Sequence, residues 1–82
     1  FKIYPNPVKS GEKITLVYDL KSIQAKNIVK IHDISGNEVY KAELEGNSLK
    51  LHKIDTRHLK KGIYIITINI NGTESSDRIV IN

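Results

Sequence analysis

Cysteine is absent from this sequence, which excludes a disulfide framework and any metal site built on thiolates. Long apolar runs are absent as well, since no stretch approaches the roughly 20 residues that a membrane-spanning helix needs. The opening residues Phe1-Lys2-Ile3-Tyr4-Pro5 have neither the charged start nor the apolar stretch of a secretory signal. An export signal, if there is one, is therefore expected elsewhere on a longer precursor, of which residues 1–82 form one module. Aromatic residues are scarce, four Tyr and one Phe, and there is no glycine-rich phosphate cradle. Proline occurs twice, both times inside Tyr4-Pro5-Asn6-Pro7. Because proline cannot donate to a ladder, this motif ends a first strand and fixes a stiff corner.

What is present is a bias toward β structure. Isoleucine occurs 14 times and valine 5 times against 2 alanines, and β-branched side chains suit a pleated, half-buried surface. An 82-residue chain makes one domain, with a thin core and little room for a deep catalytic pocket. The net charge of +4 raises the question of nucleic acid, but eleven of the thirteen basic residues are Lys and they are spread along the chain. Base-edge readout leans on arginine forks and single-strand binding on aromatic platforms, so the charge reads as a solvated basic surface.

The five glycines, Gly11, Gly36, Gly46, Gly62 and Gly72, all fall between apolar runs and mark turns. Between them the chain alternates with period two. Ile14, Leu16, Tyr18 and Leu20 share one face; Val29 and Ile31 alternate with Lys30 and His32; Leu49 and Leu51 alternate with Lys50 and His52. Tyr64, Ile66, Ile68 and Ile70 point inward, and the apolar Ile63 and Ile65 opposite them make this a central strand. Strands are predicted near 1–4, 12–19, 27–33, 38–44, 48–52, 63–70 and 75–81, with hairpins around residues 34–37 and around Asn71-Gly72. Ile23–Lys26 and Thr56–Lys60 have room for a helical turn only. Seven short strands predict an all-β, immunoglobulin-like antiparallel sandwich.

Candidate chemistry is sparse. His52, Asp55 and His58, with His32-Asp33 as a further contributor, are the side chains a metal would use. Against that, Asp55 reads as a cap whose carboxylate accepts backbone N–H groups of the turn that follows. Leu59 then enters the core, and His52 and His58 stay exposed. The six serines lie in loops or at strand ends, and no carboxylates pair for acid–base work. Asn71-Gly72-Thr73 fits a glycosylation acceptor but serves equally as a hairpin turn. No catalytic residue, metal site or cofactor is assigned.

Taken in order, the motifs resemble one family along the whole chain. Tyr4-Pro5-Asn6-Pro7-Val8 is similar to its opening motif, and Gly11 with Ile14–Leu20 to the strand after it. Val29 to Gly36 with Val39 resembles a central hairpin whose turn carries Asp33 and Gly36. Ile54-Asp55-Thr56 with Leu51 and Leu59 resembles a corner motif. Lys61-Gly62-Ile63-Tyr64 with Ile66, and Arg78-Ile79-Val80-Ile81, are similar to the last two strands. Asn37 stands where the family often has Lys. The chain thus resembles the C-terminal sorting domain of cargo exported by the type IX secretion system of Bacteroidota.

The resemblance implies a non-catalytic address label, covalently linked to a cargo and carried through the periplasm to the cell surface or beyond. An outer-membrane translocon recognises such a domain and a surface sortase commonly removes it; nucleic acid and membrane insertion have no part. The hairpin Gly62–Asn82 is the part expected to be read, with Gly62, Tyr64, Arg78, Ile79, Val80 and Ile81 as contact residues and the last strand as an edge for strand addition. Tyr4, Pro5, Asn6, Pro7, Asp33, Gly36, Asp55 and Leu59 carry the motifs. The competing expectation is an immunoglobulin-like accessory module of a secreted enzyme, binding carbohydrate or a neighbouring domain through exposed aromatics. With Tyr18 and Tyr64 assigned to the core, only Phe1, Tyr4 and Tyr40 are left for that role.

Overall fold

A computed structural model of the protein describes residues 1–18, 27–44, 51–70 and 72–82. The described residues form seven strands and no helix: β1 Lys2–Tyr4, β2 Lys13–Val17, β3 Asn27–Asp33, β4 Glu38–Leu44, β5 Leu51–Asp55, β6 Gly62–Ile70 and β7 Thr73–Ile81. They make two antiparallel sheets, β1-β2-β5 and β4-β3-β6-β7. The sandwich is the one predicted, and β4 completes it by pairing with β3.

The period-two pattern dictates which side of each strand is buried. Ile14, Leu16 and Ile54 of the three-stranded sheet face Val29, Ile31, Ile66, Ile68 and Ile79 of the four-stranded one, all of them essentially sealed from solvent. Each fully buried aliphatic side chain is worth roughly 1.5–3 kcal/mol relative to exposure. Tyr18, Tyr64 and Leu59 close the rims of this core. β6 is an inner strand of its sheet, and the outward Ile63 and Ile65 remain 44% and 38% exposed.

Two turns show how the loops hold their shape. After β3, the Asp33 carboxylate accepts the N–H groups of Ser35 and Asn37, both at 2.9 Å, and the Asn37 amide at 3.2 Å. Gly36 completes that turn at φ +89°, a left-handed conformation that strains any residue with a Cβ. After β5, Leu59 N–H donates to Thr56 C=O at 2.9 Å, and the wholly buried Thr56 hydroxyl donates back to the Glu12 carbonyl.

The structure departs from the sequence reading at β5. The strand runs Leu51–Asp55 rather than ending at 52, and its inward residues are His52 and Ile54, so Leu51 lies outward and 40% exposed. The pairing Ile14↔Ile54 decides this, because sliding β5 by one residue would turn Ile54 to solvent. His52 is consequently half-buried instead of exposed, and its Nε2 lies 2.6 Å from the hydroxyl of Tyr40 on the opposite sheet. Tyr40 packs against the core rather than standing on the surface. A bulge sets Val39 beside the pairs Ile31↔Tyr40 and His32↔Glu38. β2 is shorter than drawn, β7 begins at Thr73, and β6 begins at Gly62. Asp19, Leu20, Ile23–Lys26, Gly46-Asn47, Leu49, Lys50 and Asn71 lie outside the described residues.

Truncating Ile66 or Ile31 to Ala should cost about 2–5 kcal/mol, while Ile63→Ala should cost under about 1 kcal/mol. Urea denaturation of the three variants measures the contrast.

Candidate functional site

The distinctive local structure is the seam between the two ends of the chain. Pro5 stops β1, and both prolyl bonds, Tyr4-Pro5 and Asn6-Pro7, are cis. The chain then crosses from the three-stranded sheet to the outer edge of β7 and runs parallel to it. Val8 N–H donates to Val80 C=O at 2.9 Å, Asn82 N–H to Val8 C=O at 2.8 Å, and Ser10 N–H to Asn82 C=O at 2.8 Å. Val8 is fully buried at the centre of the seam.

Asn6 extends this ladder with its side chain. Its Oδ1 accepts the Val80 N–H at 3.1 Å, and its Nδ2 donates to the Arg78 carbonyl at 2.8 Å. These are the two contacts that a peptide group at this rung of a parallel ladder would make. The carboxamide carries the same donor and acceptor as a peptide, and it stands between two prolines that have no N–H to offer.

The seam covers only part of the edge. Antiparallel strands turn alternate residues' backbone groups outward. Since Arg78, Val80 and Asn82 face the seam, Ser76 and Glu74 face the same way further along β7. The Arg78 N–H is itself engaged by the Asp77 carboxylate at 2.8 Å. What stays open is a polar stretch, Thr73–Asp77, exposed on both faces.

The comparisons with known proteins bear on the whole chain. The model of the secretion system C-terminal sorting domain matches residues 2–82. The chain belongs to that family. No curated protein matches it. A type IX sorting domain interacts with its secretion machinery, is attached to a cargo, and is bound for the cell surface or the extracellular space.

Within the sorting domain, the motif residues fall into three groups. Tyr4 to Pro7 build the seam, and Tyr4 is 53% exposed on the face of the three-stranded sheet. Asp33 and Gly36 shape one turn; Asp55 and Leu59 shape another. Of the residues expected in the last hairpin, Tyr64, Ile79 and Ile81 are buried. The Tyr64 hydroxyl donates to the Lys60 carbonyl at 2.6 Å. Gly62 and Arg78 are exposed and Val80 is half-buried beside Ile63. The sequence reading missed the roles of Val8, Ser10 and Asn82 in the seam. Its one available signal was an Asn confined between prolines.

Of the side chains considered for a metal, Asp33, His52 and Asp55 are engaged in other contacts. Asp55 accepts the Arg57 N–H and Nε, both at 2.9 Å, and lies 2.8 Å from its Nη2. Among the described residues, no three His, Asp or Glu side chains gather to hold an ion. His58 joins Asp33, Val39, Leu59, Lys60 and Tyr64 around a shallow cleft of about 420 Å³. Phe1 and Tyr4 are the exposed aromatics among the described residues, 42% and 53%.

Electrostatics follow from these contacts. The Asn37 N–H foremost holds the Asp33 carboxyl below its ordinary 3.8, and the Arg57 side chain foremost does the same for Asp55. Burial pushes the Tyr40 phenol up from 10.0. A carboxyl whose folded pKa is lowered stabilises the fold above its unfolded value and loses that contribution as pH falls through the lowered one. The combined variant Asp33→Asn/Asp55→Asn should therefore be less stable than the parent at neutral pH. The gap should close on acidification below pH 4, as followed by thermal melts across pH.

Asn6→Ala should cost about 1–2 kcal/mol, from two exposed hydrogen bonds. It should speed hydrogen exchange at Val80 and Asn82 more than at Ile66. Asn6→Asp should be no better, since it keeps the acceptor but turns a second acceptor toward the Arg78 carbonyl.

Proposed function

We propose that residues 1–82 act as a single folded address label on the C-terminal side of an exported cargo, read in the periplasm by the type IX translocon and removed at the surface by a sortase. The domain catalyses nothing and is the sortase's substrate. The translocon reads the hairpin Gly62–Asn82, touching Gly62, Arg78 and Val80, while Tyr64, Ile79 and Ile81 hold both strands in place from within.

The observation that carries this reading is the half-covered edge of β7. A segment of the chain already pairs with Arg78–Asn82, which leaves Glu74 and Ser76 as the open part of the edge. A translocon segment that adds a strand there would continue the seam's line along β7. The opposite edge of the same sheet, β4, is a poorer acceptor because the Val39 bulge interrupts it and Lys41 stands exposed.

Two measurements test this. A periplasm-targeted fluorescent reporter carrying residues 1–82 at its C-terminus should appear outside cells with an intact type IX system and stay inside a translocon-null strain. Deleting Ser76–Asn82 should abolish export. Ser76→Pro is the sharper probe, since it removes an outward donor and no backbone bond to β6, losing on that side only the exposed hydroxyl contact with Thr67 at 3.1 Å. It should block export while the purified domain melts within a few degrees of the parent. Undiminished export of this folded variant would rule out strand addition at the open edge.

A further inference from the structure

The two outer faces of the sandwich differ in charge. On the four-stranded sheet, Lys30, Lys41 and Arg78 are matched by Glu38, Glu43 and Glu74, and Lys30 lies 3.9 Å from Glu38. On the three-stranded sheet the register brings Lys2, Lys13 and Lys53 to one surface. The single acid among them, Asp55, pairs with Lys13 across the strands and is held by Arg57 at 2.8 Å. Counting Arg57, four cations face one carboxylate among the described residues of this face. The neighbouring Glu12 is turned back on its own bend, its carboxylate accepting the Lys9 N–H at 3.0 Å.

Apolar side chains share this surface on the strands that flank Thr15. Tyr4, 53% exposed, lies beside Thr15; Leu51, 40% exposed, lies beside the half-buried Val17. The result is an amphipathic face on which a tyrosine and a leucine stand among the lysines.

We infer that this face, Lys2-Tyr4-Lys13-Lys53, docks on an anionic lipid surface through phosphate-bearing headgroups. Charge complementarity is the first argument: a lysine near an anionic membrane contributes about a fivefold gain in binding. The residue type is the second. Lysines are flexible, hydrated point charges that suit a diffuse layer of phosphates, whereas matched protein carboxylates favour arginine forks. Size is the third. Three strands spaced about 4.8 Å apart span too little area for a stable protein–protein interface, which takes about 800 Å² per partner. A membrane surface needs no shape match, and a tyrosine with its polar tip in water sits well at such an interface.

The inference goes beyond the sorting role and is tested without secretion. The purified 82-residue domain is mixed with phosphatidylcholine vesicles containing 30 mol% phosphatidylglycerol and spun down, at about 20 mM and 300 mM salt. It should co-sediment at low salt, release at high salt, and ignore pure phosphatidylcholine. The variant Lys2→Gln/Lys13→Gln/Lys53→Gln should bind on the order of a hundredfold more weakly. A variant of equal charge, Lys30→Gln/Lys41→Gln/Lys61→Gln, should lose no more than a few fold. Melting curves show that both are folded. Equal losses in the two variants, or binding to neutral vesicles as well, would overturn the inference. Capture by polyglutamate but not by vesicles, lost with Lys2, Lys13 and Lys53, would overturn it in favour of an acidic protein surface. Reporter export reads separately, so failure here leaves the sorting role standing.

Discussion

The rest of the structure depends on a parallel seam, in which residues 6–10 lie along residues 78–82 and join one end of the chain to the other. Without it the N-terminal segment would hang from a three-residue strand, β1, and the last strand would present a bare edge along its length. The seam also places Val8 in the core, where it packs among residues of both sheets. A thin sandwich of this size has few buried side chains to spare, so a residue recruited from outside the strands matters.

The two lateral sides of the sandwich are closed by different means. Where β1 and β7 meet, main-chain hydrogen bonds and the Asn6 carboxamide do it. Where β4 and β5 meet, two side chains reach across, Tyr40 and His52, with ring centroids 6.1 Å apart. One closure is tied to backbone geometry and tolerates few replacements. The other rests on a hydroxyl and an imidazole, which many pairs of residues could replace. The opening motif, Tyr4 to Pro7, lies on the first side.

Much of the fold was legible because its signals are local. Alternation in Ile14-Thr15-Leu16 and Val29-Lys30-Ile31 fixes the buried face of each strand, and Asp33 to Asn37 announces a turn. β5 was misread because Leu49-Lys50-Leu51 and His52-Lys53-Ile54 alternate equally well, and the choice between them rests on the cross-strand partner Ile14. The seam was illegible for a related reason. Nothing in Tyr4-Pro5-Asn6-Pro7 says that its partner lies more than seventy residues away, and composition alone gives a carboxamide no direction. The charge asymmetry between the sheets was hidden too, since the lysines are evenly spread in sequence and only register collects three of them on one face.

The direction of the seam has a mechanical consequence. Segments 6–10 and 78–82 point the same way, so tension between a cargo pulling on the N-terminal side and a grip on the C-terminal strand acts along the strands in opposite senses. Such a load shears the seam, and its five hydrogen bonds share it rather than opening one after another. A domain built this way resists being opened by a load applied through its two ends.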